Sequence, residues 1–489
     1  MARPWNPGAV RNPMFAFDER TTDLVMAYCR RRLAMDPVSL DFGGNGEPLG
    51  SVVDGLLRPE GNDPAAVLAL FADRLATSVI SCDSPRFLSF IPAAPTKAAL
   101  LFDMVVSCSS LNGTSWLEAA GAVVAENQVL RLLADLAGLP EGAGGCFVSG
   151  GSAGNLSALV VARDTAAHRR AADRPGTADR GGRAPRRARI AISEEAHSSV
   201  GKALQVIGVE PVLVPADDHR LTGAAVAATL DAVAATDPDA SADVVGVVAT
   251  AGTTNAGLVD DLAGVADVAA DRDLWFHVDA AYGGGALFAP SVRDLFCGIE
   301  RADSVVVDPH KWLFAPFDSA ALIYRDPRLA KAVHTQDAAY LDAIHRPAGA
   351  GGGPADADVV QDPWNPSDYA FHLTRRARGM PLWFSLAVHG TDAYRDAVET
   401  VLDTARRAAD LIRTTAHVEL VRDPVLSVVL FRRPGWGPAD YDTWSASLLA
   451  NQIGFVTPTT WDGEVVARLA FLHPDTTVDM VRDILATMA

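Results

Sequence analysis

Apolar residues recur at two different periods along this chain, and the change of period divides it. Between residues 18 and 35, and again between 64 and 80, they fall at helical spacing: Leu24, Val25 and Tyr28 in the first segment, Val67, Leu68, Phe71 and Leu75 in the second. The Gly- and Pro-rich stretch from Pro37 to Gly61 separates them. The first ninety or so residues therefore read as helices and loops. From about Gly144 the pattern changes to short β-rich runs: CFVS (146–149), ARIAIS (188–193), PVLVP (211–215), VVGVVAT (244–250), LWFHVD (274–279), SVVVD (304–308) and ALIY (321–324). Ala-rich helical segments lie between them. This alternation predicts an α/β fold, a mainly parallel sheet covered by helices on both faces. After about Leu382, a helical pattern over Ala387 to Thr415 and the run VLSVVLF (425–431) predict a smaller C-terminal α+β domain.

Two stretches interrupt the alternation. The run from His168 to Arg189 gathers arginines among Gly and Pro and reads as a solvated surface loop rather than a grip for polyanions. PAGAGGGPADAD (347–358) is too flexible for a packed element and too long for a tight turn, so a mobile lid or a disordered segment is expected.

Charge and composition narrow the function. Lys plus Arg is 42 against 60 Asp plus Glu, a formal charge of -18, which argues against a nucleic-acid partner or an anionic membrane surface. Only Lys97, Lys202, Lys311 and Lys331 are lysines, so 42 - 4 = 38 residues are arginines and any chemistry that needs an amine has four candidates. The five cysteines are scattered and form no CxxC, so neither a disulfide framework nor a cysteine-rich zinc site is suggested, and a reducing cytoplasm fits. The opening MARPWNPGAVRNPMF lacks the basic-then-apolar pattern of a signal peptide, and the longest uncharged stretch, Gly142 to Ala162, is too rich in Gly and Ser for a membrane span. A cytoplasmic location is the expectation.

Candidate chemistry sits where strands end, the edge at which open α/β sheets bind ligands. CFVS runs into Gly150, Gly151 and Ser152, and a helical pattern follows. Such a turn lets the backbone approach closely and offers free N–H groups to a phosphate, although an ordinary strand-to-helix turn looks the same. It matches neither GxGxxG nor GxxxxGK[ST], which disfavours a nucleotide P-loop. LWFHVD ends at Asp279, a carboxylate that either meets a cation or donor or caps the next helix. SVVVD leads into Asp308, Pro309, His310, Lys311 and Trp312; partial desolvation of Lys311 is expected to lower its pKa enough for reaction with an aldehyde. His197 follows ARIAIS, and Thr253 and Thr254 follow VVGVVAT. An aldehyde-reactive amine, a carboxylate for a pyridinium, a stacking imidazole and a phosphate cup are together what pyridoxal 5'-phosphate (PLP) requires.

The sequence resembles the PLP-dependent group II amino-acid decarboxylases, which include aromatic-amino-acid, histidine, glutamate and 2,4-diaminobutyrate decarboxylases. HVDAAYGGGALFAP (277–290) and DSVVVDPHKWLFAPFD (303–318) carry the likeness most specifically. EEAHSSVGKA (194–203), VATAGTTNAGLVDD (248–261) and SPRFLSFIPA (84–93) fall in the family's order and spacing. The likeness spans roughly residues 64 to 480. It implies PLP fold type I, the aspartate-aminotransferase-like fold, with an N-terminal helical arm (1–96), a large PLP-binding domain (97–381) and a small C-terminal domain (382–489).

The same resemblance implies that Lys311 carries the cofactor's aldehyde, Asp279 pairs with its pyridine nitrogen and His197 stacks on its ring. Ala281 would pack beneath the ring, Thr254 would lie close to it, and Gly151, Ser152 and His310 would hold the phosphate. Arg468 looks equivalent to an arginine that grips the substrate carboxylate in glutamate-type members. Tyr340 stands, counted from the lysine, where family decarboxylases carry a lid tyrosine that returns a proton to Cα; relatives with Phe there yield aldehyde instead of amine. A homodimer with shared active sites is implied. The chain also departs from the pattern. Asp308 often corresponds to Asn, and a second anion would repel a phosphate. Phe90 and Ala93 stand where the aromatic-amino-acid enzymes carry a substrate-facing Tyr and Thr, and Asn112 and Thr114 replace apolar and aromatic pocket residues, so an aromatic substrate is not assumed. The expected reaction is α-decarboxylation of an L-amino acid to an amine and CO2, with oxidative decarboxylation to an aldehyde as the alternative. A non-catalytic protein of this fold would be expected to lose some of Lys311, Asp279 and His197, and all three are present. A metallohydrolase on His277, Asp279 and His310 is set aside because His277 and Asp279 are expected to leave their strand on opposite sides.

Overall fold

The structure, a computed structural model, describes residues 13–41, 49–173, 188–237, 243–345 and 363–489. The chain divides into two compact units, Met1–Ser84 and Pro85–Ala489. In the first, the helix Glu19–Leu33 begins at Asp18, whose carboxylate accepts from the Arg20 N–H, and Tyr28 meets Phe71 edge to face. The helical spacing over 64–80 becomes a short helix, Pro64–Leu70, continued by a wider turn over Phe71–Leu75 and a 3₁₀ turn over Ala76–Ser78.

The second unit is built on a seven-stranded sheet of β1 (Gly144–Val148), β2 (Arg189–Ser193), β3 (Glu210–Val214), β4 (Val244–Thr250), β5 (Trp275–Asp279), β6 (Ser304–Val307) and β7 (Ala320–Tyr324), in the order β1-β7-β6-β5-β4-β2-β3. Each apolar run became a strand, with ends shifted by at most two residues. β2, β3, β4, β5 and β6 pair in parallel, and β7 is antiparallel to both of its neighbours. β1 therefore points the same way as β6, and six strands end at one edge. All seven residues of β4 are buried, as a central strand covered on both faces requires.

A four-stranded antiparallel sheet follows: β8 (Glu419–Leu420), β9 (Val428–Arg432), β10 (Pro458–Trp461) and β11 (Glu464–Ala470), in the order β10-β11-β9-β8. The helix Met380–Thr414, interrupted at Gly390 with φ 79°, precedes it. Val401, Leu402 and Ala405 of that helix share one core with Val429 of β9 and Leu469 of β11. The helix Gly151–Asp173 runs on through His168 and Arg169, so the arginine-rich run begins as helix rather than loop. The rest of that run, 174–187, and the segment 347–358 lie outside the described residues. Among the described residues no helix is long and apolar enough to cross a membrane.

Candidate active site

The carboxyl ends of β1, β2, β4, β5 and β6 surround a cleft of about 350 Å³. Gly151, Ser152, His197, Thr254, Asp279, Ala281, His310 and Lys311, spread over 160 positions of sequence, all line it. Of the four lysines, only Lys311 does.

Lys311 lies in a one-turn helix, Pro309–Trp312, set directly after β6. Its Nζ is 3.0 Å from Oδ2 of Asp308, which is buried and also accepts from the Gly151 N–H at 3.0 Å. Burial pushes the Lys311 amine down, but the carboxylates of Asp308 and Asp279 outweigh it and the net shift is upward. The expected lowering is thus corrected: desolvation is real, and two nearby anions favour the charged form more. Asp308 acts as the counter-ion of the lysine. The approach at Gly151 admits no side chain, since a Cβ there would stand 2.9 Å from Asp308 Oδ2 and 3.1 Å from the Ala281 methyl. His310 lies beside this turn, its Nδ1 accepting from the Ser319 N–H at 3.0 Å, and burial, with Lys311 adding to it, lowers its pKa against the pull of Asp308.

Asp279 closes β5. Its Oδ1 accepts from the Ala281 N–H at 3.1 Å and its Oδ2 from Asn155 Nδ2 at 2.8 Å, so the local turn and the buried polar partner both hold it. His277, two residues earlier, lies on the same side: its Nε2 is 2.9 Å from Asn155 Oδ1, on the same amide that meets Asp279. The expectation of opposite sides is corrected, because alternate residues of a strand share a face. What disqualifies His277 as a metal ligand is that both ring nitrogens are taken, Nδ1 by Ser304 Oγ at 2.8 Å. Burial lowers its pKa to about 4, Asp279 opposing. His197 opens the helix Ser198–Ile207; its Nδ1 accepts from the Ser199 N–H at 3.2 Å while the exposed ring borders the cleft.

The residues assigned to substrate lie elsewhere. Phe90 is exposed, Ala93 is buried with its N–H on the His310 carbonyl, and Thr114 is buried with its hydroxyl on Asn112 Oδ1. Arg468 is buried on β11, where its guanidinium donates to the carbonyls of Thr254 at 2.6 Å and Asn255 at 3.2 Å; burial lowers its pKa to about 10. Tyr340 is 72% exposed and outside the cleft. Asn155 and Ser199, which the sequence reading passed over, also line the cleft. Asn155 follows Gly151 by one helical turn, a spacing that places it at the same sheet edge.

The donor set fits PLP: one amine able to bond an aldehyde, one buried carboxylate, one imidazole, and a turn whose close approach admits no Cβ. The model of the pyridoxal-dependent decarboxylase conserved domain matches residues 57–433. An L-2,4-diaminobutyrate decarboxylase of Rhizobium meliloti (strain 1021) is 32% identical over 459 residues, 91% of this chain and 86% of that protein. An aromatic-L-amino-acid decarboxylase of Bacillus atrophaeus is 29% identical over 439 residues, 87% of this chain and 85% of that protein. The crystal structure of Oryza sativa TDC with PLP and tryptamine matches with a TM-score of 0.82 and 25% identity, over 98% of this chain and 99% of that one. Fold, cleft and likeness over most of the chain agree, and the chain belongs to the pyridoxal-dependent decarboxylases, enzymes that remove the carboxylate of an amino acid with PLP as cofactor.

Proposed function

We propose that this enzyme converts an L-amino acid to its amine and CO2, with Lys311, Asp279 and His197 set around the cofactor. The observation that carries the assignment is the meeting in one cleft of Lys311, alone among the lysines, with Asp279 and His197. Bound there, PLP supplies a sink for the electron pair freed when the bond from Cα to the carboxylate breaks. Lys311 presents Nζ to the cofactor's aldehyde, and Asp279 keeps a proton at the pyridine nitrogen by its charge. His197 fixes the plane of the ring and Ala281 packs on the other side. Gly151, Ser152 and His310 hold the phosphate, while the Ala93 N–H supports His310 through its carbonyl. Arg468 enters this reading through the Thr254 loop that its guanidinium grips.

Removal of CO2 leaves Cα in need of a proton, and we assign its delivery to the Tyr340 phenol. Tyr340 is exposed and outside the cleft of its own chain, which suits delivery to the cleft of a second copy; the reading therefore takes a homodimer. Phe90, Asn112 and Thr114 would meet the substrate side chain, and the two polar members favour a substrate that is not purely aromatic. Five free cysteines suit a reducing cytoplasm. Borohydride reduction of the PLP-loaded protein and peptide mapping should place the pyridoxyl group on Lys311, and Lys311→Ala should stay folded but lack the absorbance of the lysine-bound cofactor. A label on Lys97, Lys202 or Lys331 would overturn the assignment. A panel of amino acids scored for CO2 and amine identifies the substrate.

A further inference from the structure

We propose that Asn155 is a positioning residue for the reaction, a buried amide that ties Asp279 to His277 on one side and to Ser199 and His197 on the other. The inference rests on the roles given above to Asp279 and His197.

The direction of each bond in this network follows from the Asp279 carboxylate, which can only accept, so that Asn155 meets it with Nδ2 and turns Oδ1 to His277. The Trp275 indole can only donate, and its Nε1 lies 2.9 Å from Ser304 Oγ. Because Asn155 Oδ1 takes the imidazole proton on Nε2 at 2.9 Å, His277 Nδ1 is left to accept, and Ser304 gives it its own hydrogen at 2.8 Å. The two amide hydrogens of Asn155 then go to Asp279 Oδ2 at 2.8 Å and Ser199 Oγ at 3.1 Å. Ser199 in turn has its hydrogen free for His197 Nδ1, 2.8 Å away, which also accepts from the Ser199 N–H. Turning the Asn155 amide over would set its NH₂ against an imidazole N–H and its oxygen against a carboxylate. The second contact would be repulsive whichever tautomer His277 took, so the orientation is single.

Burial gives this network its strength. Asn155 is 1% exposed, His277 0%, Ser304 0%, Trp275 6% and Asp279 5%. Hydrogen bonds in such surroundings are stronger and polarise one another, and losing one member leaves others unpaired. Asp279 is held at both oxygens, by Asn155 and by the Ala281 N–H, so its carboxylate plane cannot rotate. The network also commits Nδ1 of His197 to accepting. The carboxylate that closes β5 and the imidazole that opens the helix after β2 thus share one frame through a residue that bears no charge.

The test compares Asn155→Ala, Ser304→Ala, His277→Gln and His277→Leu with the parent and with Asp279→Ala. PLP affinity, the visible circular dichroism of the bound cofactor and the melting temperature of the cofactor-free protein are measured for each. Asn155→Ala should weaken PLP binding by about 10- to 100-fold, the loss of a hydrogen bond to a charged group. It should also reduce the cofactor's circular dichroism, which reports orientation and which a general loss of packing would not change in a folded protein. His277→Gln, which keeps a side-chain N–H, should restore much of what His277→Leu loses. Should Asn155→Ala fail to fold, Ser304→Ala carries the test, since it removes one oxygen at the far end of the network and should shift both cofactor signals in the same direction. Parent-like affinity and dichroism in the folded Asn155 or Ser304 variant, with both lost in Asp279→Ala, would overturn the inference and leave the assignment of Asp279 standing. Retention of both in Asp279→Ala would remove the assignment beneath it.

Discussion

A buried counter-ion decides how Lys311 starts each encounter with its cofactor. The Asp308 carboxylate, 3.0 Å from Nζ, favours the ammonium form, whereas attack on an aldehyde needs the free amine. Asp308→Asn should therefore speed capture of PLP by the cofactor-free protein at neutral pH, with the advantage shrinking as pH rises; stopped-flow absorbance reads this, and equal rates at pH 7 would refute it. For Asp279, loss of a buried charge pair costs on the order of 3 to 5 kcal/mol, equivalent to roughly two to four powers of ten in kcat. Asp279→Ala should show that loss and Asp279→Glu a smaller one, whereas near-normal turnover in PLP-loaded Asp279→Ala would contradict the assignment. Tyr340→Phe should keep CO2 release but shift product from amine towards aldehyde, ammonia and peroxide. Amine and peroxide measured together under air and nitrogen check this, and a variant making only amine would show that Tyr340 is not the proton donor. Charged and motif-borne residues of the cleft were legible in the sequence: Lys311, Asp279 and His197 stand at strand ends in distinctive surroundings. Asn155 and Ser199 were not, because an uncharged amide and hydroxyl gain meaning only from what they touch. The placing of His277 failed on the two-residue period of a strand.

Among elements, strands were easier to read than the pieces joining them. Parallel strands buried on both faces are written as continuous apolar runs, so β1 to β7 stood out; that β7 reverses direction is a matter of connection, on which composition is silent. The hairpin of β10 and β11 went unread, although its turn is the Asp-Gly pair Asp462 and Gly463, with φ of 50° and 78°. That dipeptide is a strong hairpin signal, masked here by the polar, half-exposed β10. The turn after β1 yields a prediction of its own. Overpacking a well-fitted contact costs about 1 to 3 kcal/mol, and a methyl on Gly151 would press on both Asp308 and Ala281. Gly151→Ala should lose PLP affinity by roughly tenfold or more at that cost while the sheet stays intact. Titration with PLP beside melting of the cofactor-free protein checks it, and unchanged affinity would mean that this turn does not approach the cofactor.

Over the whole molecule, buried histidines tie stability to pH. His277 and His372 are each lowered to about 4, both first by burial; Asp279 opposes the shift at His277, and Arg375 and Arg378 add to it at His372. Folded pKa values below the unfolded value of about 6.5 mean that the unfolded chain binds the proton more tightly. Stability is therefore complete above about pH 6.5 and declines as pH falls towards 4, with His277 alone giving up about 2 kcal/mol between pH 7 and pH 5. Asp260, raised by burial to about 6, works in the opposite sense, so the comparison that isolates His277 is the change in urea midpoint between those pH values for the parent and for His277→Gln. An equal change in both would rule out this contribution. The scarcity of lysine reaches further, into how the protein can be handled. Acylating reagents, cyanate and reducing sugars attack side-chain amines and leave guanidinium groups unmodified. Lys97 and Lys202 are exposed, Lys331 is half-buried and Lys311 borders the cleft. An amine-reactive support therefore has three lysine handles outside the cleft, and the cofactor itself shields the fourth: enzyme immobilised after loading with PLP keeps its chemistry, whereas enzyme immobilised before loading forfeits the one amine on which that chemistry depends.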